Sequence, residues 1–226
     1  MNYHYFIPNL NFNYYGLSLI IGFIVFLIIL FILGIKEKFK EYEIASIIAL
    51  EVFAWIIAIL FFRSSFYALI LIMISGLIFF LITKKNSMQL FAMLVFSVPL
   101  VYAIGKIGCF VNGCCYGIDY SGPFHVIYEA SHEAPNYTSL FPIQFAETIV
   151  NLIIFLVAII LYHKKKDIRY TLPFNLIACS IAKFSLDFLR ANRAHIFTLN
   201  QVFCIITITI GIILIIKIKK KPLVSN

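Results

Sequence analysis

The sequence predicts an all-α integral membrane protein of seven transmembrane helices, with the N-terminus outside and the C-terminus cytoplasmic. Three observations predict it. Of 226 residues, 62% are hydrophobic and only 12% charged, with a mean hydropathy of +0.99, whereas about a quarter of a soluble domain is charged. The apolar residues come in unbroken runs of about 20, the length of a helical span, rather than in the alternating segments of a membrane barrel. Lys and Arg gather in alternate loops, as they do on the cytoplasmic side of membrane proteins. Together these exclude a cytosolic enzyme, a disordered linker and a secreted disulfide scaffold.

The spans fall near residues 15–35, 44–62, 66–82, 88–108, 143–162, 170–190 and 196–216. The first has no basic segment before it and is followed by Lys36, Lys38 and Lys40, which predicts a retained anchor rather than a cleaved leader. Tyr14 and Tyr15 stand at its entry, where aromatic residues line the membrane surface. The second carries Glu51. The fourth ends in a Gly- and Cys-rich run, and the segment 109–142 that follows holds Gly113, Gly117, Gly122, Pro123, Pro135 and Pro142. This is the one long polar stretch, and it predicts an external loop. The fifth span opens on Pro142 and holds Glu147; the sixth holds Lys183, Asp187 and Arg190. With neither internal repeat nor second domain, residues 1–226 read as a single transmembrane domain.

Orientation follows from the cations. Lys36, Lys38, Lys40, Lys84, Lys85, Lys164, Lys165, Lys166, Arg169, Lys217, Lys219, Lys220 and Lys221, 13 of the 18 Lys and Arg, fall on one side, which makes that side cytoplasmic. The formal +8 charge thus marks topology, and no nucleic-acid partner is implied. Arg63, Lys106, Lys183, Arg190 and Arg193 oppose the bias. Snorkelling at the interface accounts readily for Arg63 and Arg193. For Lys106, Lys183 and Arg190 an anionic ligand at the outer leaflet is the direct explanation.

Ionisable side chains inside spans each cost about 2.5 to 3.5 kcal/mol at a helix centre, so each is a functional candidate. Lys183, Asp187 and Arg190 are spaced four and three apart and share a helical face. Two cations against one carboxylate suit a phosphate, which Lys meets as a point charge and Arg as a fork; the alternative is a structural ion-pair ladder. Glu147 and Glu51 are further partners for these cations. In the run Gly105 to Gly117, glycines allow close backbone approach, with Lys106 and Asn112 as polar handles. Cys109, Cys114 and Cys115 in that run can form a disulfide or ligate a metal, but no second Cys pair at ligand spacing supports a metal site. Cys179 and Cys204 read as small apolar residues. His125 and His132 make no metal pattern and read as solvated loop residues.

The run Gly105-Lys106-Ile107-Gly108-Cys109-Phe110-Val111-Asn112-Gly113 resembles the G-R-x-G-N-F-x-N-G signature of bacterial prolipoprotein diacylglyceryl transferases. Tyr15-Gly16-Leu17 is similar to that family's Y-G-L in the first span, and Ser75-Gly76-Leu77-Ile78 to the end of its H-G-G-L-I-G in the third. Pro142-Ile143-Gln144-Phe145-Ala146-Glu147 resembles P-x-Q-L-Y-E, and Lys183-Phe184 through Arg190 resembles R-F-x-x-E-F-x-R. The five matches occur in family order over roughly residues 14–190.

The resemblance implies a multi-pass protein of the bacterial plasma (inner) membrane that moves a diacylglyceryl group from phosphatidylglycerol to the lipobox cysteine thiol of secreted prolipoproteins. It implies a catalytic set of Lys106, Glu147, Lys183 and Arg190, and substrate contacts from Tyr15, Asn112, Gln144, Asp187, Gly105 and Gly108. No metal and no dissociable cofactor is implied. The departures are specific. The family histidine has no counterpart, Ile74 and Ser75 standing near its place. Two signature arginines appear as Lys106 and Lys183, and Cys114 replaces an acidic residue. In the second span Trp55 stands nearest the family's arginine. These departures leave open a transferase of the same fold acting on another thiol, peptide or lipid, or a non-catalytic lipid-binding membrane protein.

Overall fold

The computed structural model describes residues 4–7, 13–57, 74, 78–79, 81, 87–131, 133–191 and 199–220. In chain order these form β1 (His4–Ile7), α1 (Tyr14–Lys36), α2 (Glu41–Ile57), α3 (Ser87–Phe96), α4 (Val98–Asn112), β2 (His125–Tyr128), α5 (Ile143–Lys165), α6 (Thr171–Asp187) and α7 (Leu199–Lys220). Among the described residues, four stretches are long and apolar enough to cross a membrane: Tyr14–Lys36, Met88–Asn112, Ile143–Lys165 and Asn200–Lys219. The chain is therefore a mostly helical, multi-pass membrane protein. The expected third span lies outside the described residues except at Ile74, Ile78, Phe79 and Leu81, all helical.

Helix α1 begins where Asn13 caps it, its side-chain oxygen accepting the Gly16 N–H at 2.9 Å. Ile20, Ile24, Ile28, Phe31 and Ile35 recur at helical spacing and stay exposed, the arrangement of a face turned to lipid. The other face buries Ser18, Gly22, Phe26, Leu30 and Leu33. It packs on α4 through small residues. A Cβ on Gly108 would lie 2.1 Å from Ser18 Oγ and 2.8 Å from the Tyr14 carbonyl oxygen, so glycine sets how closely the two helices approach.

The expected fourth span, 88–108, is broken at Ser97 and runs on to Asn112. Pro99 causes the break, since it has no N–H to offer the Val95 carbonyl one turn earlier. In a membrane an orphaned carbonyl needs a protein partner, and Asn175 supplies it from α6. Its amide donates to the Val95 and Phe96 carbonyl oxygens at 3.2 and 3.4 Å. The expected sixth span is likewise subdivided, into a 3-10 turn at Ile168–Tyr170 and α6, which stops at Asp187 and leaves Arg190 beyond the helix.

One end of the bundle collects the basic loops. Glu37, past the end of α1, accepts hydrogen bonds from Gln89 of α3 at 2.6 Å and Tyr162 of α5 at 2.8 Å, and Lys165 and Lys219 line the same apolar groove beside Tyr170. The opposite end carries a small folded cap. Strands β1 and β2 pair in parallel, with His4 opposite His125, and Val126, Tyr128, Ala134 and Leu140 bury a cluster against Phe110 and Tyr116. The segment expected as an open loop from 109 thus starts only at Gly113, and most of it is structured because these apolar side chains have a core to share. His125 is correspondingly buried, its ring Nδ1 donating to the Gly122 carbonyl at 3.0 Å. His132 lies outside the described residues.

Candidate functional site

Lys106 from the fourth predicted span and Lys183 and Arg190 from the sixth converge on the carboxylate of Glu147, one turn into α5 and almost fully buried. Lys106 Nζ lies 2.8 Å from Oε2 and Lys183 Nζ 3.4 Å from Oε1. Arg190 Nη2 donates to both oxygens, at 2.8 and 3.0 Å. A fifth side chain, the Tyr102 hydroxyl, donates to Oε1 at 3.1 Å. Asp187 sits at the rim, its Oδ1 4.0 Å from Lys183 and 3.9 Å from Arg190. The same-face ladder anticipated in the sixth span is therefore secondary. The short contacts all go to Glu147.

The charges count in favour of an anion. Three cations face two carboxylates, leaving the cluster one positive charge in excess. Arg190 Nε is buried with no hydrogen-bond acceptor among the described residues, since Asp187 at 3.9 Å is out of range. A guanidinium with an unused N–H beside surplus positive charge is disposed to take a phosphate oxygen.

The cap positions Arg190. Past the end of α6, the Ile118 N–H bonds the Leu189 carbonyl at 3.0 Å and the Ala191 N–H bonds the Tyr116 carbonyl at 3.3 Å, forming an antiparallel bridge between Gly117 and Arg190. Gly117 allows this approach, because a Cβ there would meet the Phe141 carbonyl at 2.3 Å. Along α5, Thr148 and Asn151 satisfy backbone carbonyls on the face that carries Glu147. Gln144 reaches the cap instead, donating to the Cys114 carbonyl at 2.9 Å; its Oε1 has no partner among the described residues.

The remaining expected contact residues stand at the α1–α4 junction. Asn112 donates to Asn13, the cap of α1, at 3.3 Å, and Tyr15 is half-buried in the first turn of α1. Gly108 packs against Ser18 and Tyr14, and Gly105 faces Leu19. Ser75, Gly76, Leu77, Arg63 and Arg193 lie outside the described residues. Glu51 is fully buried on α2, and Trp55 stacks on Phe23 with ring centroids 4.5 Å apart. Tyr102 was missed by the sequence reading. The signal available was its spacing, one turn before Lys106 on the same face, and both Lys106 and Lys183 also lie over its ring, at 5.1 and 6.0 Å.

Next to the cluster, the Sγ atoms of Cys109, Cys114 and Cys115 lie within 4.8 Å of one another. The Cys115 thiol is held well below the usual range, by hydrogen bonds from the Cys109 and Cys114 thiols first and then by the Lys106 and Arg190 charges. Burial pushes the Tyr128 phenol up, and its hydroxyl donates to the Phe110 carbonyl at 2.8 Å.

Comparison with known proteins agrees with the motifs. A chain named phosphatidylglycerol–prolipoprotein diacylglyceryl transferase 2, from Clostridium perfringens (strain 13 / Type A), is 32% identical over 139 residues, covering 61% of this chain and 54% of that one. The protein named phosphatidylglycerol–prolipoprotein diacylglyceryl transferase from Clostridium tetani (strain Massachusetts / E88) is 30% identical over 141 residues, 59% of this chain and 56% of that one. The chain thus spans about half the length of the curated relatives it matches. The family model described as prolipoprotein diacylglyceryl transferase matches residues 3–217, nearly the whole chain, and this chain belongs to that family.

Proposed function

We propose that the protein transfers a diacylglyceryl group from phosphatidylglycerol to the cysteine thiol of a secreted prolipoprotein. The observation that carries this reading is the Glu147 cluster, with its surplus positive charge and the unused Nε–H of Arg190. In the reaction the acceptor sulfur forms a bond to the terminal glycerol carbon of the diacylglyceryl group. The bond from that carbon to the phosphate oxygen breaks, and glycerol phosphate leaves with the proton that the thiol gives up. Lys106, Lys183 and Arg190 are suited to the charge that grows on the leaving phosphate, where preorganised cations are most effective. Glu147 holds all three in place, with Tyr102 and Asp187 steadying the arrangement. The same positive field favours the thiolate over the thiol of the acceptor. Tyr15, Asn112 and Gln144 are the proposed contacts to headgroup and peptide, and Gly105 and Gly108 let that wall of the site stay thin. No metal or dissociable cofactor is required.

Seven spans, an outside N-terminus and a cytoplasmic C-terminus in the bacterial inner membrane belong to the same proposal. The gathering of Lys36, Lys165 and Lys219 at the end opposite the cap supports it, since the cap and the charged site then face outward. The test is a transfer assay with purified protein in detergent, phosphatidylglycerol and a synthetic lipobox peptide. Mass spectrometry is expected to find a diacylglyceryl thioether on the cysteine, and Arg190→Ala is expected to abolish it while leaving the protein inserted. No product from folded protein, beside an active family member as control, would overturn the proposal in favour of a different acceptor.

A further inference from the structure

A second convergence of reactive groups lies where α4 runs into the cap. Cys109, Cys114 and Cys115 are free thiols whose sulfurs lie within 4.8 Å of one another. The backbone brings them together. Cys109 occupies the last turn of α4, and Gly113, at φ 72, reverses the chain so that the Cys114 N–H bonds back to the Cys109 carbonyl at 3.1 Å. Cys115 then adopts φ 55, a left-handed conformation that strains a non-glycine residue and persists only when its surroundings hold it. They do: Glu133 accepts the Cys115 N–H at 3.3 Å, and Gln144 donates to the Cys114 carbonyl at 2.9 Å.

Three thiolates at about 2.3 Å from one ion set their sulfurs about 4.0 Å apart in a trigonal plane, so each sulfur here need move by only about half an ångström. A disulfide would employ two sulfurs and leave the third idle. Among the described residues no His, Asp or Glu ligand atom joins the group, so these residues offer three soft donors. Zinc would have to complete its four ligands there with water, and the set discriminates against hard ions. It suits a monovalent d10 ion satisfied by three sulfurs.

We infer that Cys109, Cys114 and Cys115 form a trigonal three-thiolate site for cuprous copper. The site is one turn of α4 from Lys106 and one hydrogen bond from Gln144, so the ion pins the end of α4 against the cap. The inference is independent of the transfer reading. Its test is anaerobic titration of the full, reduced chain in detergent, with Cu(I) buffered by a competing chelator and with Zn(II) in parallel. Expected are one copper per chain and X-ray absorption showing three sulfur neighbours at about 2.3 Å. Cys115→Ser is expected to weaken copper binding at least about 100-fold, with Cys179→Ser and Cys204→Ser unchanged. Because Cys109 is buried, Cys115→Ser, at a half-buried position in the cap, is the variant that decides. No copper retained by the reduced wild type, unchanged affinity in Cys115→Ser, or tighter binding of Zn(II) than of Cu(I) would each overturn it.

Discussion

Replacing Glu147 by Gln keeps the shape of the side chain and removes its charge. Lys106, Lys183 and Arg190, now at 2.8, 3.4 and 2.8 Å from that carboxylate, would then have, among the described residues, one carboxylate close by, that of Asp187, 4.0 and 3.9 Å from Lys183 and Arg190. Removing one partner from a buried ion pair costs about 3 to 5 kcal/mol, because the remaining charge stays desolvated. In a chain of this size each kcal/mol moves the unfolding midpoint by about 2 to 4 °C, so the midpoint should fall by about 6 to 20 °C. The assay is thermal unfolding in detergent, followed by the fluorescence of Trp55 or by a thiol-reactive dye. Lys183→Met supplies the internal comparison. Its ammonium is the most distant of the three and a quarter exposed, so its loss leaves Glu147 with two cations and should lower the midpoint by less. A Glu147→Gln midpoint at or above that of Lys183→Met would refute the claim that Glu147 is the hub.

Other outcomes follow from single contacts. Tyr102→Phe removes the hydroxyl donated to Glu147 at 3.1 Å and should cost about 1.5 to 3 kcal/mol, as hydrogen bonds to charged groups do, read as a lower unfolding midpoint. Gly108→Ala puts a Cβ against Ser18 Oγ and the Tyr14 carbonyl and should destabilise by about 1 to 3 kcal/mol; Ser18→Gly in the same chain should recover only part, because the carbonyl clash remains. Asn175→Leu uncovers the carbonyls of Val95 and Phe96 at the Pro99 break and should cost about 1 to 3 kcal/mol in the same measurement. Cys114→Ser combined with Cys115→Ser should keep prolipoprotein transfer in the peptide assay; complete loss would bring the thiols into the reaction.

Composition, run length and the spacing of Lys and Arg sufficed to establish a helical membrane protein, because the hydrocarbon core imposes its demands on every span separately. The family was equally legible, since its motifs are local strings. Lys106, Glu147, Lys183, Asp187 and Arg190 stood out one by one, as charges in apolar surroundings do. Their relation did not. Residues 36 and 43 positions apart meet at Glu147, and nothing in a linear reading ranks that pairing above the i,i+4 ladder of Lys183 and Asp187. Tertiary packing alone decided it: the Gly108 contact draws α4 onto α1, Asn175 covers the break at Pro99, and the cap bridge at Gly117 carries Arg190 past the end of α6 and over the carboxylate. The three thiols show the same division. Their spacing of five residues and one in the sequence specifies no common point, and only the left-handed turns at Gly113 and Cys115 bring the sulfurs together.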